Sequence, residues 1–462
     1  MKLFKKFPDT ISIILGIGIL FIILTWLIPA GAFNKELVNG REVIVANSYK
    51  HIPAQPQGIW AFLTFPIKGF VSASFVIAFV FLVGGAFSIL TKTGAINAGL
   101  FKVITISKNR PQYKIFIIPS IVALFSLAGA TFGMSEEILV FILITIPLSQ
   151  AMGYDAIIGA AIPIVGTGVG FAGAFTNPFT IGIAQGIAQI PIFSGIEYRL
   201  VVWFILTLIA CILITRYARK IDKDPTKSFM YDLEINTLEK FNKNDIPEFN
   251  KSRKLILVAL FLALIILIYG VNVYQWYINE IAGLFIGLGI ISALIYKMPV
   301  SKAIQAFIEG AKEMMSAALI IGLAKGLLVI AEDGKIIDTI LNSVAVMAGD
   351  TPQFISVSLM FLFQSCLNFF IPSGSGQAAL TMPIMAPLSD LLGISRQLAV
   401  LAFQFGDGLS NMIVPTSGVT MGTLSIAKIP YNVWFKWICP TVIILSFIAV
   451  LLLILPLFLF EW

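Results

Sequence analysis

Apolar segments about as long as a membrane is thick recur along the whole chain, and they restrict its fold more than any other feature. A helix needs roughly 20 apolar residues to cross the hydrocarbon core. Helices are one of only two structures that satisfy their backbone there. We therefore predict an all-α polytopic membrane protein with about nine spans, at 10–32, 72–91, 156–188, 200–216, 254–272, 279–296, 314–331, 397–424 and 437–459.

The composition supports a membrane protein and excludes several other classes. Of the 462 residues, 58% are hydrophobic and 12% are charged, which is about half the charge of a soluble domain. The net charge of +7 lies in loops beside apolar segments, so no nucleic-acid partner is expected. Three isolated cysteines and one histidine, His51, indicate no disulfide framework, no metal site and no cofactor. We also find no nucleophile–histidine pair or phosphate loop, so an enzyme is not predicted.

A polar break interrupts the apolar sequence near its C-terminal end. Pro372, Ser373, Gly374, Ser375 and Gly376 separate two apolar runs, 353–371 and 378–392. Such a break survives inside hydrocarbon only where protein, water or a ligand meets the exposed backbone groups. We predict a re-entrant helical hairpin over 353–392 whose tip binds a ligand. The residues 133–137 form a similar break, which predicts a second hairpin over 114–152.

The two halves of the chain resemble each other at a near-constant spacing. Pro147, Leu148 and Ser149 recur as a Pro-Leu-Ser triplet 240 residues later, and Ser135 and Gly153 recur at the same spacing. Because the two hairpins would open to opposite sides, we predict inverted-topology repeats, which are typical of secondary transporters. The predicted units are a first repeat (1–216), a cytoplasmic connector (217–253), a linker helix (254–272) and a second repeat (273–462).

The distribution of basic residues predicts the orientation. With a cytoplasmic N-terminus, most Lys and Arg residues fall in cytoplasmic segments, whereas outer segments carry few, among them Arg199. No arginine is predicted inside a span, and only Lys325 remains within one. We expect a multi-pass protein of the bacterial cytoplasmic (inner) membrane, in contact with the lipid bilayer.

Each predicted hairpin is followed by a helix that glycine and proline should break, over 156–188 and 397–424. At such breaks, helix N-termini offer N–H groups to anions and C-termini offer carbonyls to cations. Hydroxyl and amide side chains lie at both the breaks and the tips. We predict that these residues bind the substrate: Ser135, Thr176, Asn177, Ser373, Ser375, Thr416 and Ser417.

Ionisable residues inside membrane segments are candidates for function because burying an unpaired charge is costly. Glu136 and Glu137 lie at the first tip, and Asp407 lies in the second broken helix. We predict that these acids handle the charge of a sodium ion, a proton or a basic substrate. Neighbouring helical residues point in different directions, so only one of the two glutamates can face the site. Lys325 could either pair with one of these acids or extend to the membrane interface.

Several segments resemble the DcuC/YfcC family of anaerobic dicarboxylate-carrier-like permeases, within the ion-transporter superfamily. The matching residues are 8–10, 28–33, 133–137, 176–179 and 372–378. The resemblance implies a homodimer with a scaffold domain and a mobile transport domain that holds both hairpins and moves like an elevator. The family includes carriers of four-carbon dicarboxylates and others that exchange basic amino acids.

The function predicted from these features is secondary active transport of a small charged, carboxylate-bearing solute. The excess of acids near the breaks favours an amino acid, as basic amino-acid uptake or exchange. A cation-coupled four-carbon dicarboxylate carrier is the alternative. A channel is the rival from another class, since re-entrant loops also form selectivity filters. Channels repeat one filter around an axis, however, whereas this chain has two unlike tips.

Overall fold

The fold is helical, as the long apolar segments predict. A computed structural model describes residues 10–38, 41–44, 48–96, 98–99, 111–131, 133–234, 248–274, 276, 278–347, 351–459 and 462. Residues 235–247 of the predicted connector lie outside this part. The described helices are α1 (Thr10–Leu27), α2 (Ile59–Ser72), α3 (Ser74–Lys92), α4 (Pro111–Thr131), α5 (Ile138–Ala151), α6 (Ala156–Ala172), α7 (Ile183–Ile187), α8 (Ile196–Lys223), α9 (Tyr231–Glu234), α10 (Lys251–Tyr274), α11 (Ile278–Tyr296), α12 (Val300–Glu313), α13 (Met315–Asp333), α14 (Ile337–Met347), α15 (Gln353–Asn368), α16 (Gly374–Leu391), α17 (Arg396–Ser410), α18 (Gly418–Ile426) and α19 (Tyr431–Leu459).

Five of the described helices are long and apolar enough to cross a membrane, namely α3, α8, α11, α13 and α19. Shorter apolar helices include α2, α5, α6 and α15. An all-α polytopic membrane protein is therefore confirmed, while the count of about nine spans stays a prediction. Several apolar runs are divided into helices shorter than a membrane span, so the length of apolar runs alone does not give the number of spans.

The helices pack as two bundles. The first bundle comprises α4–α8 and α15–α19, in which α4 and α5 pack on α6 while α15 and α16 pack on α17; we call it the hairpin bundle because it contains both predicted hairpins. The flanking bundle comprises α1–α3 and α10–α13, in which α2 packs on α13 and α12 packs on α3. The bundles meet where α13 contacts α18 and α3 contacts α5.

Helices α2, α12 and α14 lie outside the predicted spans and hairpins, as does the short α9 in the predicted connector. Charged residues shorten the apolar runs of the first two, and one charge of each helix forms an ion pair. Lys68 of α2 lies 2.6 Å from Asp333, and Glu309 of α12 lies 3.0 Å from Lys92. The polar segment between α1 and α2 also forms four short strands, β1 (Gly31–Ala32), β2 (Lys35–Val38), β3 (Arg41–Ile44) and β4 (Lys50–His51). They pair antiparallel as β1–β4 and β2–β3.

Arg199 corrects the prediction that no arginine lies inside a span. Helix α8 begins at Ile196, so Arg199 lies within the helix and its side chain is 0% exposed. Its guanidinium donates to the side-chain oxygens of Gln397 (3.2 Å) and Gln404, and it lies 5.1 Å from the centre of the Trp462 ring. The predicted span began at residue 200 because a count of apolar residues stops at a charged one. Such a count does not consider that neutral side chains can replace water around a buried charge.

The two broken helices cross through their backbones. A Cβ atom added to Gly168 of α6 would lie 3.0 Å from the carbonyl oxygen of Gly408, and one added to Gly408 of α17 would lie 2.7 Å from that of Gly168. Only glycine fits such a close approach. The crossing brings the end of α6 and the end of α17 to the same place, beside the cavity described next.

Candidate functional site

A cavity of about 570 Å³ lies between the hairpin bundle and the flanking bundle. To its wall, the hairpin bundle contributes the tips of both predicted hairpins, the second helix break and the residues Phe171, Phe179 and Thr180 that flank the first break, and the flanking bundle contributes parts of α3, α11 and α13. The polar residues that line it are Ser72, Ser135, Glu136, Thr167, Thr180, Asn279, Glu280, Lys325, Ser373, Ser375, Asp407, Asn411, Thr416, Ser417 and Thr420.

The first hairpin tip separates the two adjacent glutamates. Glu136 lines the cavity, whereas Glu137 is only 7% exposed and does not line it. The Glu137 carboxylate instead accepts a hydrogen bond of 2.8 Å from the backbone N–H of Ser135. Glu137 therefore orders the tip, and Glu136 presents its charge to the cavity.

The first helix break is closed by its own side chains. Asn177 is 0% exposed, accepts hydrogen bonds from Phe179 N (2.9 Å) and Thr180 N (3.2 Å), and donates to the carbonyl of Gly129 (3.0 Å). These bonds satisfy backbone groups that the break leaves open. Asn177 and Thr176 were predicted to bind substrate, but neither lines the cavity.

Asp407 faces the cavity beside the second hairpin tip. Its side chain is 1% exposed and accepts a hydrogen bond of 2.9 Å from Asn411 Nδ2. The tip approaches closely, since a Cβ atom on Gly374 would lie 2.8 Å from Asp407 Oδ2. Asn411 was not predicted, although its spacing of four residues from Asp407 on one helix favours such a pair.

The second break exposes three carbonyl groups, and side chains bond each of them. The donors are Thr420 Oγ1 to Asn411 (2.6 Å), Trp434 Nε1 to Met412 (2.9 Å) and Tyr431 Oη to Ile413 (2.7 Å). Ser417 then caps α18 by accepting a hydrogen bond of 3.4 Å from Thr420 N. The two aromatic residues were not predicted, because nothing local to the break indicates that α19 returns to it.

Two threonine hydroxyls on the cavity wall have no hydrogen-bond partner within the described part of the chain. Thr180 is 1% exposed and Thr416 is 2% exposed. Buried hydroxyls are normally bonded, so such groups indicate a place for a ligand or water. Thr180 and Thr420 were not predicted, although they lie 240 residues apart, as do the predicted Asn177 and Ser417. The repeat spacing could therefore have identified these two threonines.

The charged groups on the cavity wall are unequal in sign. Glu136, Glu280 and Asp407 are acidic, and Lys325 is the one basic side chain among the described lining residues. Lys325 lines the cavity, while its predicted pairing with one of these acids stays a prediction. No group of three or more His, Cys, Asp or Glu side chains in the described residues could hold a metal ion.

Comparisons with known proteins identify related carriers. The family model described as "DcuC: C4-dicarboxylate anaerobic carrier" matches residues 7–457. An Escherichia coli protein named "Putative basic amino acid antiporter YfcC" is 37% identical, over 93% of this chain and 92% of its own length. A Haemophilus influenzae protein named only as uncharacterized is 29% identical over 99% of this chain and 98% of its own length. The solved structure of Neisseria gonorrhoeae MtrF, described as one of a class of antimetabolite efflux pumps, is 15% identical with a TM-score of 0.42, covering 99% of this chain and 96% of that one.

Proposed function

The chain belongs to the DcuC family of carriers, as its motifs predicted, and we propose that it transports basic amino acids by uptake or exchange. Transport itself is the shared function of this family. The substrate, the mechanism and the roles of individual residues are the proposed part.

The observation that carries this proposal is the acidic excess of the cavity. Within the described residues, the buried Asp407, the half-buried Glu136 and the exposed Glu280 line it against one ammonium, that of Lys325, so the buried part of the excess lies in Glu136 and Asp407. A basic amino acid brings one net positive charge at neutral pH and would offset part of this excess, whereas a dicarboxylate would add two negative charges. Uncompensated charge inside a membrane protein costs several kcal/mol or more. The 37% identity to a protein named as a basic amino acid antiporter supports the same choice.

A cation-coupled carrier of four-carbon dicarboxylates is the second candidate. The description of the family model favours it. In this case a sodium ion or a proton bound near Asp407 would offset the added negative charge. The hydroxyls of the tips and breaks would then hold the two carboxylates.

Within the proposed site, we assign substrate contacts to the predicted residues that line the cavity: Ser135, Ser373, Ser375, Thr416 and Ser417. Glu136 and Asp407 are the candidates for balancing the charge of substrate, sodium or proton. We assign a structural role to Glu137, Thr176 and Asn177, which stabilise the backbone of the first tip and the first break. Each of them holds backbone groups there.

We also propose that the hairpin bundle moves across the membrane against the flanking bundle, within a homodimer. The cavity between the two bundles supports this mechanism, because movement of one wall would open it to alternate sides. Two ion pairs, Lys68–Asp333 and Lys92–Glu309, support inverted repeats. Glu309 lies 241 residues after Lys68, and Asp333 lies 241 residues after Lys92, so each pair joins matching positions of the two halves. The location in the bacterial cytoplasmic membrane, with a cytoplasmic N-terminus, remains part of this proposal.

A thermal-shift screen of the purified full chain tests the substrate. Arginine, ornithine, succinate, fumarate and sodium are compared at equal ionic strength. A ligand that binds the folded state raises the melting temperature, by a stabilisation of about 2.7 kcal/mol at one hundred times its Kd. We expect arginine and ornithine to raise it. Stabilisation by succinate or fumarate alone would favour the dicarboxylate carrier instead.

A further inference from the structure

We infer that Lys325 is a specificity-determining residue that, with Thr416 and the first N–H groups of α18, binds the carboxylate of the substrate. This inference rests on the proposed function, which it deepens by dividing the cavity into two ends. The substrate class it implies is an α-amino acid with a second cation on its side chain. A cation of similar shape that lacks the carboxylate should bind more weakly.

The position of Lys325 is fixed by close backbone packing inside the flanking bundle. A Cβ atom on Gly326 would lie 2.5 Å from the carbonyl oxygen of Phe65, and one on Gly322 would lie 2.3 Å from the Phe70 ring. Helix α13 therefore lies directly against α2 on both sides of Lys325. The ammonium group is presented from a rigid wall, and only the side chain itself can move.

The start of α18 lies on the same wall of the cavity. A Cβ atom on Gly418 would lie 3.6 Å from the Cα atom of Ile321, and Lys325 follows Ile321 by four residues on the same face of α13. The N-terminal N–H groups of α18, like those of any helix, attract negative charge. Lys325 and this helix start are thus neighbours.

Thr416 provides an independent indication of a ligand at this place. Its side chain is 2% exposed and lines the cavity, and its hydroxyl has no hydrogen-bond partner in the described part of the chain. A carboxylate at the start of α18 would accept a hydrogen bond from this hydroxyl. The same carboxylate would meet the Lys325 ammonium.

Two acidic residues of the cavity wall are positioned to bind the two cationic groups of the same basic amino acid. Glu136 and Lys325 line the same cavity, so a carboxylate held by Lys325 leaves Glu136 available to the adjacent ammonium of an α-amino acid. Asp407 lies beside the second tip, at Gly374, and is available to a cation at the end of the side chain. The start of α16 already packs on Asp407, so it is less suited to the substrate carboxylate than the start of α18.

Isothermal titration of the purified full chain with arginine and with agmatine, which is arginine without its carboxylate, tests the inference. We expect the wild type to bind arginine at least about tenfold more tightly than agmatine, since one charge-assisted contact has roughly this worth. Lys325→Gln should weaken arginine binding about tenfold or more while leaving agmatine binding within about twofold. An unchanged ratio of arginine to agmatine affinity in this variant would overturn the inference.

Matched variants separate a specific effect from a general one. Lys325→Arg should retain most of the discrimination, and Lys312→Gln, at an exposed position of α12, should behave as the wild type. If Lys325→Gln does not fold, Thr416→Val decides, because it should weaken arginine and not agmatine. Equal loss of both ligands in Thr416→Val would contradict a role in binding the carboxylate.

The same variants distinguish this inference from the proposed function. Wild-type binding of succinate without arginine would overturn the basic amino-acid substrate. Lys325→Gln should then weaken succinate about tenfold, because succinate also presents a carboxylate. Unchanged succinate affinity in the variant would overturn the role of Lys325 as well.

Discussion

Asp407 shows what a single residue must do at this site. Its carboxylate is buried beside the cavity, with one hydrogen bond from Asn411 and no lysine or arginine within 4 Å among the described residues. Several hydrogen bonds or a counter-ion would normally stabilise such a group. A cation that arrives with the substrate or as a coupling ion would supply what the described surroundings do not.

Asp407→Asn removes this charge while keeping an oxygen for Asn411 to bond. We expect the variant to express and to retain its melting temperature, but to lose accumulation of substrate against a gradient. Uptake into proteoliposomes under an imposed sodium or proton gradient measures this loss. Asp390→Asn is the control, because Asp390 pairs with Arg396 at the surface. Unchanged accumulation would remove Asp407 from the coupling mechanism.

The two glutamates of the first tip should differ although they are adjacent. Glu136→Gln removes a charge from the cavity wall, so we expect its affinity for arginine to fall about tenfold or more. Glu137→Gln retains an acceptor for Ser135 N–H, and its affinity should stay within about threefold of the wild type. Titration of both variants under one set of conditions compares them. The reverse order would mean that Glu137 faces the ligand.

At the residue scale, the sequence predicted the types of side chain near the site better than the direction in which those side chains point. Five of the substrate-site candidates at the tips and breaks line the cavity. The side chains of Thr176 and Asn177 instead form hydrogen bonds with backbone groups beside the first break. Residue type alone cannot tell an amide that caps a half-helix from one that binds a ligand. Lys325 was identified as an intramembrane charge, but only the folded structure shows that it lines the cavity.

At the element scale, the broken helices depend on glycine where they cross. Gly168 and Gly408 lie 240 residues apart, so the repeat spacing alone is enough to pair them. Their mutual contact could not be predicted, because it depends on how the two halves of the chain pack. Amphipathic helices such as α12 were missed for a related reason: their apolar residues fall on one face rather than in a run.

Gly408→Ala should test the importance of this crossing. Its new Cβ atom would lie 2.5 Å from the backbone nitrogen of Ala172, so the helices must separate, at a cost of about 1–3 kcal/mol or more. We expect a lower melting temperature in detergent and weaker ligand binding. Gly283→Ala is matched in chemistry, has no atom within 4 Å of its new Cβ, and should be neutral or stabilising. Equal melting temperatures for both variants would contradict the close crossing.

At the scale of the whole molecule, the proposed mechanism depends on two bundles with a cavity between them. Apolar length and the basic residues in loops predicted a multi-pass helical protein, and the repeat spacing predicted paired elements. The buried Arg199 was not predicted, because its neutral partners Gln397 and Gln404 come from a distant helix. Contacts between distant segments decide which charges a bundle can enclose, and run length carries no information about them.

Movement of one bundle against the other should stop when the bundles are linked. In a background without Cys211, Cys366 and Cys439, we expect Ile321→Cys with Gly418→Cys to form a disulfide on oxidation, since a Cβ at Gly418 lies close to Ile321. Transport in proteoliposomes should fall on oxidation and return on reduction. Ala86→Cys with Gly289→Cys links two helices within the flanking bundle and should leave transport intact. Full activity of the oxidised first pair would rule out the proposed movement.

Transport of basic amino acids is the central claim for this carrier, and counterflow measures it most directly. Proteoliposomes containing the wild-type protein are loaded with unlabelled arginine, ornithine or succinate, and the entry of a trace of labelled arginine is followed. We predict saturable, transient accumulation of label with arginine or ornithine inside and none with succinate inside. Counterflow of labelled succinate against internal succinate, with no movement of arginine, would contradict the claim.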